Sequence, residues 1–493
     1  MDEILSFGTV VLVVALAFAL ALLVIKLSDR FPIPNPALFL IAAAVISDLF
    51  PGVSDHLSIR SAERIGVVAL IVILFDGGMD VGWRRFRRAG LPIASLGVVG
   101  TFATAALMAV AARYLFDFSW TTAGIIGAAL APTDPAVMFS VLGNREVRGR
   151  SATILEGESG ANDPVGIALM IAVLDYATSS HASAWAGVGD FALSMVVGLA
   201  IGAAGAGLLI PAMRRFTLPS EGLYPLRTLA AALVIYAVAT VAHGSGFLAV
   251  FVAGLLIGNV RAPYKGEIES FHKSLASLGE IVVFTVLGLT ISLANVGHHS
   301  VWLHGLLIAV ILTFVARPLV VGTLLLPVRL RIGEKLFICW GGLKGAVPIL
   351  LGTLVLLQGV DGASRVYGIV FVVVLFSVVV QGSSMPFLAR PLGVRMRRIE
   401  PEPWRVSVRV RSEPRDVRRY VVASGSRAAG RPIRELQLGE RAWISMLIRD
   451  GAAKPPRGST VLEPGDELVM LAEVEDERAL RRLFEGRRQS TQA

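Results

Sequence analysis

The sequence predicts an all-α polytopic membrane protein of about thirteen transmembrane helices, followed by a small α+β cytoplasmic domain. Three observations predict it. Of the 493 residues 54% are hydrophobic and 17% charged, below the ~25% charged content of a soluble domain. Apolar runs of roughly 15–25 residues recur up to about residue 390, the length that crosses ~30 Å of hydrocarbon. Past that point such runs stop, and short alternating segments replace them.

The spans fall near 7–26, 35–50, 63–78, 91–113, 119–142, 153–176, 188–211, 226–242, 246–260, 271–294, 303–327, 334–357 and 366–390. The first lacks a basic start and a small-residue cleavage site, so it reads as a retained helix and not a signal peptide. Several are short for an upright crossing, which implies tilt or a place inside the bundle. Loop charges test the count. Lys26 and Arg30 follow the first span, Arg84, Arg85, Arg87 and Arg88 the third, and Arg145, Arg148 and Arg150 the fifth. Arg214 and Arg215, Arg261 and Lys265, Arg329, Arg331 and Lys335, then Arg390, Arg395, Arg397 and Arg398 continue the alternation. The intervening loops hold little, and 175–190 and 295–304 hold no Lys or Arg. Cytoplasmic loops carry the Lys/Arg excess, so the N-terminus is outside and the C-terminus inside. The net charge of +9 follows from this topology and calls for no nucleic-acid partner. Cys339, the single cysteine, excludes internal disulfides and reads as a small core residue.

From Ile399 onward no apolar run is long enough to span. Arg405–Arg411 (RVSVRVR) alternates apolar with polar as a strand does. Short apolar segments follow at Tyr420–Ala423, Ile444–Ile448 and Glu467–Leu471, separated by turn signals at Asp450-Gly451 and Pro464-Gly465-Asp466. Glu475–Phe484 has helical spacing. The chain therefore divides into a membrane domain (1–390), a linker (391–404), the α+β domain (405–487) and a polar tail (488–493).

Residues 154–169, ILEGESGANDPVGIAL, place Glu156, Glu158, Ser159, Asn162 and Asp163 in the sixth span. An ionisable residue at that depth is costly and marks function by default. Ser159 and Asp163, four apart, share one helical face; Glu158 and Asn162 share the next. Glu156 lies nearer the cytoplasmic end, where water can reach it. Pro164 removes a backbone donor and loosens the helix there. The fifth span is interrupted by Ala131-Pro132-Thr133-Asp134-Pro135, and two prolines so close break a helix. Its freed carbonyls can hold a cation, and Asp134 can balance the freed amides. The twelfth span has a similar disturbance at Gly341–Pro348 (GGLKGAVP), seven helices later, as two inverted six-helix repeats would give. Lys344 can offset the negative ends of the half-helices there. Arg317, deep in the eleventh span, needs an anion, and Glu158 is the candidate. That leaves Asp163 as the titrating group. A buried carboxylate without a permanent partner can hold a proton near neutral pH, or release it and hold a metal cation. Thr133, Ser159 and broken backbone supply hard oxygens suited to an alkali cation, and no Cys/His cluster offers a transition-metal site. The histidines (His56, His181, His243, His272, His298, His299, His304) lie mostly in loops or at span ends and read as surface or packing residues, with pH sensing the other reading.

APTDPAV, GESGANDPVG, the arginine of ARP and GLKGAVP stand in one order along residues 1–390. On these motifs the membrane part resembles the cation/proton antiporters of the NhaP branch, bacterial relatives of sodium/proton exchangers. The resemblance implies thirteen helices, two crossed broken helices and a homodimer. It implies Asp163 as the essential carboxylate, Asn162 as the preceding amide and Glu158 with Arg317 as a structural pair. Thr133, Asp134 and Ser159 take the ion-ligand positions. Asn-Asp in place of Asp-Asp marks the electroneutral branch. Lys344 stands where many relatives have arginine, with the charge kept. AGRPIREL, ISMLIRDG and PPRGSTVLEPGDELVMLAE resemble the TrkA-C domain, which in its family dimerises and sometimes takes a small regulator. That domain points to the potassium/proton subgroup: K+ ahead of Na+, exchanged for H+ across the cytoplasmic membrane, with no cofactor. A small-molecule regulator is expected within 405–487, although no phosphate-binding glycine loop is present.

Two other readings are open to the residues. Gly157-Glu158-Ser159-Gly160 and Ala242-His243-Gly244-Ser245-Gly246 fit the short motifs of rhomboid intramembrane serine proteases, with Ser159 and His243 as the dyad. Such a protease needs neither Asp163 nor the broken spans. A potassium channel with a regulatory domain is the second, and no TVGYG-type filter is present.

Overall fold

The computed structural model describes residues 34–49, 57–134, 145–147, 149–178, 184–293, 300–394, 396–398, 417–436, 438, 442–449, 452–472 and 477–485. The expected first span, the strand at 405–411, half of the linker, the polar tail and His56, His181, His298 and His299 lie outside them. The chain forms two compact units, 1–401 and 402–493.

The first unit is helical: α1 (Asn35–Leu49), α2 (Ile59–Arg88), α3 (Gly90–Phe116), α4 (Trp120–Leu130), α5 (Arg150–Thr178), α6 (Ala184–Arg215), α7 (Leu223–Val241), α8 (Gly246–Gly258), α9 (Lys265–Leu289), α10 (Val301–Leu324), α11 (Ile332–Trp340), α12 (Ala346–Leu357) and α13 (Ala363–Ala389). Among the described residues, seven helices are long and apolar enough to cross a membrane: α2, α3, α6, α7, α9, α10 and α13. Four apolar helices are shorter, α1, α4, α8 and α12. α5 has the length, 29 residues, but its polar run from Glu156 to Asp163 keeps it out of the seven. The expected twelfth span appears as two short helices because the chain unwinds at 341–345; the expected fifth unwinds at 131–134, and its remainder lies outside the described residues.

Serine hydroxyls start several helices. Ser58, Ser119 and Ser245 accept hydrogen bonds from the N–H groups of Ser61, Thr122 and Leu248. α2 runs past the expected span through a kink at Gly82, φ 62°. The four arginines expected in a loop therefore sit on its last turns. Arg84 N–H, freed by the kink, bonds Asn259 Oδ1 at 2.8 Å. Pro164 does not break α5, which stays helical from Arg150 to Thr178. π-helical stretches interrupt α3 at Ser95–Gly100, α10 at Leu312–Ala316 and α13 at Ser377–Gly382.

The helices pack in two groups. α2 holds α8 and α9, with α1, α6 and α7 around them. α8 lies so close to α2 that a Cβ at Gly254 or Gly258 would strike the carbonyls of Phe75 or Met79, a small-residue contact that suits membrane helices. The second group joins α4 to α3 and α5, and α13 to α10 and α12. α5 and α12 meet α2 across the seam, and α9 meets α12. A two-stranded antiparallel ribbon completes this unit: β1 (Arg145–Val147) pairs with β2 (Met396–Arg398), Glu146 opposite Arg397.

The second unit is an antiparallel sheet of β3 (Val417–Val421), β4 (Ala442–Arg449), β5 (Ala452–Lys454) and β6 (Glu467–Ala472), in the order β3-β6-β4-β5. With α14 (Glu477–Phe484) it encloses its own core of Tyr420, Leu447, Leu462, Leu468, Met470 and Phe484. Arg449 donates to both carboxylate oxygens of buried Asp466 at 2.7 Å. Burial pushes the Asp466 carboxyl up. The Arg449 fork and the Glu463 N–H outweigh it and hold the group below the usual carboxylate range.

Candidate functional site

The site is built where the two unwound segments meet. α4 stops at Leu130 because Pro132 cannot continue it. α11 stops at Trp340, ahead of the Gly341-Gly342 pair. Asp134 N–H donates to Leu343 C=O at 2.8 Å, tying the segments together. Buried Lys344 reaches from one break into the other. Its Nζ donates to the carbonyls of Ala131 at 3.0 Å and Pro132 at 2.8 Å. These carbonyls form the negative end of α4, so the ammonium offsets that end of the helix. One expectation changes: the freed carbonyls could have served a passing cation, and Lys344 already fills Ala131 and Pro132. Its own N–H is held by Ser377 Oγ, in the π stretch of α13, at 2.9 Å.

Asp134 lies at the start of α12. Its carboxylate occupies the space that a side chain at Gly345 would need, beside the positive end of that helix.

Thr133 connects the break to α5. Its Oγ1 is 3.0 Å from Ser159 Oγ and accepts from Asn162 Nδ2 at 2.7 Å. Thr133 N–H donates to Asn162 Oδ1 at 3.2 Å. Asn162 thus uses both ends of its amide on one residue. Beside it Asp163 is 5% exposed, and its Oδ1 has no hydrogen-bond partner. The charges that act on it are Asp134 and Lys344.

Glu158 Oε1 accepts from Arg317 Nη1 at 2.6 Å, both residues buried. Arg317 follows directly on the π stretch of α10, and its other donors point at Ile338 and Cys339 carbonyls at 3.4 Å. A side chain at Gly342 would collide with the guanidinium. Glu156 is half-buried and lies 3.9 Å from Arg85, so it faces an arginine more than open water. The structure therefore brings Thr133, Ser159, Asn162 and Asp163 together, with Asp134 and Lys344 beside them and the Glu158–Arg317 pair behind.

It does not bring Ser159 to His243. Ser159 is buried on Thr133, while His243 is exposed in the turn before α8. His272 is fully buried and its Nε2 meets Thr228 Oγ1 at 2.8 Å, a packing role. Two intramembrane carboxylates were not singled out by motif. Asp76 is buried on α2, near Asp80, Lys273, Glu269 and Lys265. Glu280 sits mid-way along α9, its charge acting with that of Asp134. Their signal is the one that marked Asp163, a carboxylate inside an apolar span.

Residues 14–390 match the profile of the sodium/hydrogen exchanger transmembrane family. The chain belongs to that family. Residues 417–485 of the exchanger match the TrkA-C domain. It is 32% identical over 470 residues to the K(+)/H(+) antiporter NhaP of Alkalimonas amylolytica, covering 94% of this chain and 81% of the relative. It is 32% identical over 498 residues to the K(+)/H(+) antiporter NhaP2 of Shewanella sp. (strain MR-4), covering 97% of this chain and 84% of that one. Its fold resembles the solved structure of the sodium proton antiporter MjNhaP1 from Methanocaldococcus jannaschii, with TM-score 0.67 and 24% identity over 80% of this chain and 99% of that one. The exchanger is thus a multi-pass membrane transporter, a monovalent cation/proton antiporter and not an enzyme.

Proposed function

We propose that the exchanger trades K+ for H+ electroneutrally across the cytoplasmic membrane, with Asp163 holding the proton and the cation in turn. The observation that carries this is the buried Asp163 Oδ1 without a hydrogen-bond partner, beside the oxygens of Thr133 and Ser159. Desolvation disfavours a bare buried charge, so such a carboxylate is stable with a proton or with a cation and poor with neither. If the two helix groups move only when Asp163 is neutralised, the two ions must cross in opposite directions. Asn162 fixes Thr133 against α5, and Asp134 adds charge for the cation. Arg317 keeps Glu158 neutralised, so of the two buried carboxylates of α5 Asp163 is the one left to titrate. The relatives named K(+)/H(+) antiporters align through both units, which supports K+ over Na+.

The same reading assigns thirteen spans in two inverted six-helix repeats with crossed broken helices, the N-terminus outside and the C-terminal unit cytoplasmic. It assigns a homodimer, and a regulatory role to residues 405–487 after a linker at 391–404.

The test uses proteoliposomes with an acidic interior, to which K+ or Na+ is added outside. K+ should drive proton exit at a rate that clamping the voltage with valinomycin leaves unchanged. Asp163→Asn should abolish it. Undiminished flux in Asp163→Asn would place the proton elsewhere, and an equal response to Na+ would remove the K+ preference.

A further inference from the structure

Glu280 lies near the middle of α9, in the helix group that faces the broken helices without belonging to them. The residue is half-buried, and its Oε1 is sealed from solvent with no hydrogen-bond partner. Asp134, across the seam, is the charged group that acts on it. Asp134 also acts on Asp163, whose Oδ1 is equally orphaned. α9 meets α12, at whose start the Asp134 carboxylate sits against Gly345, so Glu280 stands on a helix that meets the Asp134 end of the break, and both Glu280 and Asp163 present unpartnered buried oxygens. Carboxylates whose charges act on one another raise one another's energy unless a cation lies among them. We infer that Glu280 is a further cation ligand, presented from α9 and shared with Asp134 on the cation's way to Asp163. This deepens the exchange reading above and rests on it. Because α9 stands on the other helix group, a shift between the groups changes the distance from Glu280 to Asp134. The cation meets Glu280 at one stage of the cycle and leaves it at another.

The measurement is the half-saturating K+ concentration for proton exit in proteoliposomes. Glu280→Gln keeps the shape and removes the charge. It should raise that concentration about tenfold, as loss of one charge-assisted contact implies, and leave the maximal rate within about twofold. Glu280→Asp, which keeps the carboxylate, should fall between Glu280→Gln and the wild type. A Glu280→Gln protein with wild-type half-saturation makes Glu280 a packing residue and overturns the inference. Equal loss of maximal rate in Glu280→Gln and Glu280→Asp also overturns it, since both then act on the fold. Flux that survives Asp163→Asn sinks the exchange reading itself, a different outcome from either.

Discussion

Each unit buries an arginine–carboxylate pair, and the two pairs are built differently. Arg449 grips both oxygens of Asp466 at 2.7 Å and adds the Glu463 carboxylate and the Val461 carbonyl. Asp466 Oδ2 takes the Glu463 N–H as well. Nearly every donor and acceptor is used, as expected of a pair that fastens the 463–466 turn to β4. Arg317 meets Glu158 through one oxygen, and Glu158 Oε2 has no partner. A pair selected for stability alone would fill that site. On the function proposed above, the difference fits a membrane pair that serves charge balance, cancelling Glu158 and leaving the charge of Asp163 free to vary. A third pair, Arg85 with Glu156, is long and partly exposed, and gives the scale a lower end.

The largest effect should come from splitting the membrane pair. Arg317→Ala leaves a bare carboxylate among apolar helices and should cost about 3–5 kcal/mol, read as loss of monodisperse protein after heating in detergent. Glu158→Gln combined with Arg317→Met removes both charges and should recover most of that stability. If the double variant is as unstable as the single one, geometry and not charge holds the pair.

A smaller effect is expected in the C-terminal unit. Arg449→Ala should destabilise it by about 2–3 kcal/mol, because water can partly replace the guanidinium there. pH sharpens the contrast. The Asp466 carboxyl is depressed in the folded state, so its stabilisation is complete above the unfolded value near 4 and is lost as pH falls through the folded value. The thermal midpoint of residues 402–493 should therefore drop below about pH 4, and Asp466→Asn should flatten that dependence. An unchanged slope would assign the acid sensitivity to other groups.

The smallest effect belongs to Glu156→Gln. At 3.9 Å from a largely exposed arginine the pair should contribute at most about 0.5 kcal/mol, within error by chemical denaturation. A loss near that of Arg317→Ala would mean that burial is not what separates the three pairs.

Much of this architecture was legible in the order of residues, because the relevant forces are local. Apolar runs set the helices, Pro132 and the Gly341-Gly342 pair set the breaks, and carboxylates in apolar context marked α5. Three strands of the second unit, β3, β4 and β6, followed from short apolar segments set between turn signals, whereas β5 carries too little apolar pattern to be read. Helix lengths were less legible: α2 continues through Gly82 because Asn259, which caps the end of α8, takes the freed Arg84 N–H. Lys344 was legible as the charge that offsets the half-helix ends at the crossing, but not which carbonyls it fills. A free carbonyl accepts any cation, and only the crossing of two segments 213 and 212 residues apart puts Lys344 there. Sequence determined which residues carry charge into the membrane. The tertiary structure decided which of those charges meet, because interactions between charges depend on distance and burial, and both are set by packing between helices far apart in the chain.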